Sequence, residues 1–195
     1  MDVFFSDEDR YEYLHEMAEQ GERFGVDFLA WCLMINHIHL VAVPRDGKSL
    51  ARAIGEAHKR YSRMINFREG SRGYLFQGRF FSCPVEPASL LAVVANVLRN
   101  PVRAGMVRDA WDHPWSSARW LVGEVSSDPL VRENGSLVEV DDWRLLLSSS
   151  DVEADQIRQH TRTGRPMGRK PFIKHLEILL GRRLQKKKPG PAPRK

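Results

Sequence analysis

The sequence predicts a mixed α/β fold in which helices pack on an antiparallel hairpin, and three observations predict it. From Asn36 to Val43 the chain alternates, with His37, His39, Val41 and Val43 on odd positions and Ile38, Leu40 and Ala42 on even ones. A period of two marks a strand whose successive side chains face opposite ways. Ahead of it, Tyr11, Leu14, Met17, Ala18 and Phe24 recur at helical spacing. Behind it, Ile54, Ala57, Tyr61, Met64 and Ile65 do the same, so two amphipathic helices flank the strand.

Each element has its own punctuation. Ser6 before Asp7, Glu8 and Asp9 is a helix start, and Gly25 is a helix stop. Residues 26–34 read as a strand that pairs with the histidine-bearing one through a tight connection. Arg45-Asp46-Gly47-Lys48 is a turn, and Ser49 caps a helix from Leu50 to about Phe67. The polar faces of that helix carry Arg52, His58, Lys59, Arg60, Arg63 and Arg68. Residues 69–73 form a loop, and residues 75–85 read as extended chain in which Phe76, Phe80 and Phe81 alternate with Gln77 and Arg79. Aromatic and basic side chains so interleaved suit stacking on a nucleic-acid strand, and they suit an ordinary core equally well. Pro87 opens a helix over 88–100 and Pro101 ends it. Trp111, Trp115 and Trp120 close the first domain, residues 1–122. Residues 123–160 are an acidic linker with short helices, and Phe172, Ile173, Leu176, Leu179 and Leu180 predict one more amphipathic helix before Gly181. Lys186 to Pro191 is low-complexity and expected to be disordered.

Composition bounds the function. With 42% hydrophobic residues the chain can build a core. No apolar run is long enough to span a bilayer, and no cleavable targeting segment opens the chain. Cys32 and Cys83 are too few for a disulfide framework, which points to a reducing cytoplasm. The charge is segregated. Residues 156–195 hold 13 Lys or Arg against one acid, Glu177, whereas the residues before them hold 17 basic and 24 acidic side chains. A basic arm on an acidic body implies a polyanionic partner, with nucleic acid the usual one.

His37 and His39, two apart on a strand, project from one face. A pair of imidazoles so placed can chelate a metal or grip a phosphate; the same spacing also suits two satisfied core histidines.

Five stretches then carry a resemblance: Cys32-Leu33-Met34-Ile35-Asn36-His37-Ile38-His39-Leu40, Arg60-Tyr61-Ser62-Arg63-Met64-Ile65-Asn66, Leu75-Phe76-Gln77-Gly78-Arg79-Phe80, Asn100-Pro101-Val102-Arg103-Ala104-Gly105 and Pro114-Trp115-Ser116-Ser117. With the tail from Gly164-Arg165-Pro166 to Leu184, the chain resembles the single-tyrosine HUH transposases, and specifically the REP-associated tyrosine transposases of bacteria. The resemblance implies a ferredoxin-like antiparallel sheet with helices packed on one face, short of the family's first strand. It implies cleavage and rejoining of single-stranded or hairpin DNA at repeat sequences, through a covalent phosphotyrosine and a divalent ion, Mg or Mn. His37, His39 and Asn100 would be the metal ligands.

The tyrosine expected five residues before the proline of Asn-Pro is replaced by Asn96, whose amide has no ionisable hydroxyl to form the link. Tyr61 on the neighbouring helix is a substitute candidate. Two functional classes follow: a transposase or nickase, or a catalytically silent DNA-binding protein descended from one. DNA contacts are expected from Arg60, Arg63 and Arg79, and from Arg165, Arg169, Lys170, Lys174, Arg182 and Arg183 of a basic segment, residues 161–195. The protein would act as a monomer or homodimer in the bacterial cytoplasm, at the nucleoid when bound to DNA.

Overall fold

The computed structural model describes residues 2–132, 140–149 and 154–185. The chain divides into two compact units, one of residues 1–80 with 91–151 and one of residues 81–90 with 152–195. The expected disorder of Lys186 to Pro191 lies outside the described residues.

In the first unit, α1 (Asp7–Phe24) starts as its sequence dictates. The Ser6 hydroxyl accepts from the Asp9 amide at 3.3 Å, and the Asp9 carboxylate accepts from Phe5 and Ser6 at 2.9 and 3.2 Å. These bonds satisfy amides that no helical carbonyl can reach. Gly25, at φ +68°, ends the helix in a left-handed conformation that only glycine adopts cheaply. Strand β1 (Val26–Leu33) follows and pairs antiparallel with β2 (Ile38–Pro44). In the register Leu33 faces Ile38, Cys32 faces His39 and Trp31 faces Leu40, with an irregularity between Phe28 and Ala30. His37 lies just before β2, where its carbonyl accepts from the Met34 amide at 2.8 Å.

Helix α2 (Ser49–Arg68) packs on α1 and, with it, on β1. Val26, Phe28, Trp31 and Leu33 of β1 join Tyr13, Leu14, Met17, Ile54, Ala57, Tyr61 and Ile65 in one buried cluster, and Ile38, Leu40 and Ala42 of β2 lie against it. The alternation therefore puts Cys32 and His39 on the opposite sheet face. Arg68 near the end of α2 pairs with the buried Asp9 carboxylate, tying the end of α2 to the start of α1.

The mixed α/β class is as the sequence predicts, and the sheet is narrow: among the described residues it has two strands. The other edge of β1 is occupied by loop segments. Leu33 N–H donates to Trp115 O at 2.8 Å, Ser117 N–H donates to Trp31 O at 3.1 Å, and Phe28 bridges to Val131. Trp31 Nε1–H donates to the Asp128 carboxylate at 2.9 Å. These contacts leave β1 buried along nearly its whole length.

Residues 75–85, read as extended from sequence, form turns and irregular chain with one isolated bridge, from Val85 to Met167. The helix expected over 88–100 is divided. A single 3-10 turn at Pro87–Ser89 leads into α3 (Leu90–Leu98), Arg99 breaks the run, and α4 (Asn100–Arg103) follows with Pro101 in its first turn. Proline ends the hydrogen bonding of one helix and is tolerated at the start of the next. Short helices α5 (Ala118–Leu121) and α6 (Trp143–Ser148) complete this unit.

The second unit holds α7 (Ala154–Thr163) and α8 (Lys170–Leu180), the latter closed by Gly181 at φ +59°. Residues 84–86 run beside Met167, with Met167 N–H donating to Pro84 O and Glu86 N–H donating to Met167 O, both at 2.8 Å. Among the described residues no helix is long and apolar enough to cross a membrane.

Candidate active site

The alternation reads both histidines onto one strand, whereas the structure places His39 in β2 and His37 in the turn just before it. The rings of His37 and His39 lie edge to face, with centroids 4.8 Å apart and planes at 86°. The hairpin turn exposes His37, whose Nδ1 is 2.8 Å from the Asn36 side-chain oxygen. With Nδ1 donating to Asn36, Nε2 would carry the ring's lone pair. His39 Nε2 is buried, and it has no hydrogen-bond partner among the described residues.

Burial first, then the neighbouring His37 and the positive charge of Arg103, push the His39 pKa down to about 4. Burial also lowers that of His37. Both rings are therefore neutral at physiological pH, the form that offers a lone pair to a metal. Cys32, the register partner of His39, is pushed up to about 12 by burial. It stays a thiol and brings no anion to the pair.

The asparagines expected at the site are drawn together by a residue the sequence reading left unassigned. Arg103 donates to the Asn96 carbonyl at 3.0 Å, to Asn96 Oδ1 at 3.4 Å and to Asn100 Oδ1 at 2.8 Å. Asn100 in turn donates through Nδ2 to the carbonyls of Val97 and Asn96, at 3.0 and 3.3 Å. The charge of Arg103 bears on both Cys32 and His39. The spacing carried the helical part of this signal: positions 96, 100 and 103 fall on one face of a helix.

The donor set fits a weakly held divalent ion. Two imidazole nitrogens are available, one of them an orphaned buried atom. No group of three or more His, Cys, Asp or Glu side chains suited to a metal occurs among the described residues. Asn100 Oδ1, which the resemblance names as a further ligand, accepts from Arg103 at 2.8 Å and keeps a second lone pair.

Asn96 is 5% exposed and stands on α3, where the resemblance places a nucleophile. Tyr61 is not part of this site. It is 1% exposed, its hydroxyl donates to Val3 O at 2.7 Å, and its ring packs among Phe4, Tyr13 and Phe76. Burial raises its pKa further from any nucleophilic range, and the sheet lies between it and His39. The structure makes Tyr61 a core residue.

The expected DNA contacts differ in how free they are. Arg60 pairs with Glu16 and Glu19, at 3.7 and 3.4 Å. Arg63 and Arg79 are exposed and make no ion pair among the described residues. In the second unit, Arg169 is held by Glu86 through both its backbone N–H, at 2.7 Å, and its guanidinium, at 2.9 and 3.0 Å. Arg165 is half-buried, whereas Lys170, Lys174, Arg182 and Arg183 are exposed.

A two-stranded hairpin bearing paired neutral imidazoles, together with a helix end rich in amides, defines an α/β protein with a candidate metal site. The family described as "Transposase IS200 like" matches residues 2–99, just over half of the chain. The protein belongs to the IS200-like transposase family, and the match takes in His37, His39 and Asn96 while stopping one residue short of Asn100. No curated protein and no solved structure in the comparisons matches it.

Proposed function

We propose that this transposase-family chain binds single-stranded or hairpin DNA at repeat sequences, as the REP-associated members it resembles do, and is silent in strand transfer. The observation that carries the reading is Asn96. The side chain at the nucleophile's position is a buried amide engaged by Arg103, and an amide cannot form a phosphodiester link.

The metal half of the machinery is retained. His37 and His39 would hold a divalent Mg or Mn ion, with Asn100 as the third protein donor. When bound, such an ion supplies Lewis-acid stabilisation of charge on a phosphate oxygen. Around it, the protein's own residues set the environment. Burial keeps His39 neutral, Asn36 fixes the ring of His37, and Arg103 orients both asparagines while adding a positive charge that suits a phosphate. The basic segment beyond residue 155 would supply much of the affinity through phosphates, which makes binding steeply salt-dependent.

The test is a mobility-shift titration of labelled hairpin and single-stranded DNA, with and without Mn²⁺, on wild type and on the His37→Ala/His39→Ala variant. Salt-sensitive binding by the wild type, with its Mn²⁺-dependent part lost in the variant, is the expected result. A wild-type chain that binds neither DNA refutes the proposal.

A further inference from the structure

One surface of the first unit is left unexplained by the histidine site. At the end of α2, Phe67 is 91% exposed, and seven residues later Tyr74 is 96% exposed. Both rings are almost wholly in water, and each leaves the backbone beside one turn. The Asn66 side chain donates through Nδ2 to Gly73 O at 2.8 Å, Asn66 O accepts from the Ser71 amide at 2.9 Å, and Asn66 Oδ1 accepts from the Ser71 hydroxyl at 3.1 Å. Residues 66 and 73 are thereby clamped together, and Phe67 and Tyr74 follow them directly. Gly70 and Gly73, at φ +59° and +119°, permit the turn. Its far end is anchored by buried Leu75 and by Phe76, which stacks on His58 at 3.8 Å. The rings are thus displayed on a pinned scaffold.

The charges beside them are available. Arg63 lies one helical turn before Phe67 on the same face, and Arg72 lies within the turn; both are exposed and without an ion pair among the described residues. The other arginines of this helix end are committed, Arg60 to Glu16 and Glu19 and Arg68 to Asp9 and Glu69.

We propose that Phe67 and Tyr74 form a stacking platform for unpaired bases of single-stranded DNA, with Arg63 and Arg72 holding the adjoining phosphates. The proposal rests on DNA being the partner, as argued above. Exposed rings offer a face to any base, and unpaired guanidinium groups offer charge to the backbone, the combination by which single strands are held without sequence preference. Paired bases in a duplex present no free face, so the platform discriminates against duplex.

Fluorescence anisotropy of labelled oligothymidylate and of a duplex of equal length tests it, with wild type, Phe67→Ala/Tyr74→Ala and Phe67→Tyr/Tyr74→Phe. Loss of both rings is expected to weaken single-strand binding roughly tenfold or more. Duplex affinity should change less than about twofold, and the aromatic exchange should retain wild-type affinity. Both rings are exposed, so thermal unfolding of all three proteins should coincide. Unchanged single-strand affinity in the alanine variant, or an equal loss on duplex and single strand, overturns the platform while leaving DNA binding intact. A wild type that binds no DNA overturns the functional reading and the platform with it. If the rings instead pair two copies of the chain, the alanine variant will change the sedimentation of DNA-free protein at constant single-strand affinity, which also overturns the proposal.

Discussion

His58 should make the first unit acid-labile, by an amount the structure sets. Its ring stacks on Phe76 at 3.8 Å, and its Nε2 is 3.0 Å from the hydroxyl of the fully buried Tyr13. Burial pushes its pKa down to about 4 from the ordinary 6.5. The folded pKa is the lower one, so the unfolded chain takes up the proton first as pH falls. This contribution is complete above the unfolded value of 6.5, is lost as pH falls toward 4, and is flat below. At pH about 4.5 the difference corresponds to roughly 2.5 kcal/mol, or about 2 kcal/mol with allowance for the part of the ring that solvent reaches. His58→Gln removes the titration and keeps a polar partner for Tyr13, at the cost of the ring stack, about 1 kcal/mol at neutral pH. Urea unfolding followed by circular dichroism at pH about 7 and about 4.5 is the assay, and the wild type should lose about 2 kcal/mol more than the variant on acidification. Equal losses in the two proteins would show that the packing of α1, α2 and Phe76 does not hold His58 neutral.

Four further outcomes are expected. Mn²⁺ should bind weakly to wild type by isothermal calorimetry and not at all to His37→Ala/His39→Ala if, as proposed, the orphaned His39 Nε2 and its neighbour are the nitrogen donors. Tyr61→Phe should cost about 1–2 kcal/mol in urea unfolding, since it leaves the buried Val3 carbonyl without its donor. Truncation after Asp155 should weaken DNA binding and flatten its dependence on salt in a mobility-shift series, because it removes 13 basic side chains. Asn96→Tyr should form a covalent adduct with single-stranded DNA that wild type does not, visible on a denaturing gel, at a stability cost of about 1–3 kcal/mol for the larger side chain in a buried site.

The parts of this structure that were legible in the sequence are those written in local patterns. Ser6 and Gly25 bound α1, and the alternation from Asn36 to Val43 marks β2, though the strand begins at Ile38 and so holds His39 while His37 falls in the turn before it. The covering of β1 by Trp115, Ser117 and Val131 was not legible, because isolated bridges from irregular chain carry no period. Residues 75–85 mimic a strand in composition, but Gly78 at φ +84° turns the chain and no partner strand pairs with it among the described residues. The spacing of Asn96, Asn100 and Arg103 shows that they share a helix face, but not that the guanidinium bonds both asparagines, which depends on how α3 gives way to α4 at Arg99. Tyr61, a candidate from sequence, lies on the apolar stripe of α2, and the packing assigned it to the core.

In the proposed function this chain keeps the metal-binding and DNA-binding halves of a transposase site and lacks its nucleophile. The most direct test is a denaturing gel of end-labelled single-stranded hairpin DNA incubated with the wild-type protein and Mn²⁺, under conditions where binding has been shown. The prediction is bound DNA with no slow-migrating species that survives denaturation. A covalent protein–DNA species from the unmodified chain would contradict it and would place a working nucleophile somewhere other than Asn96.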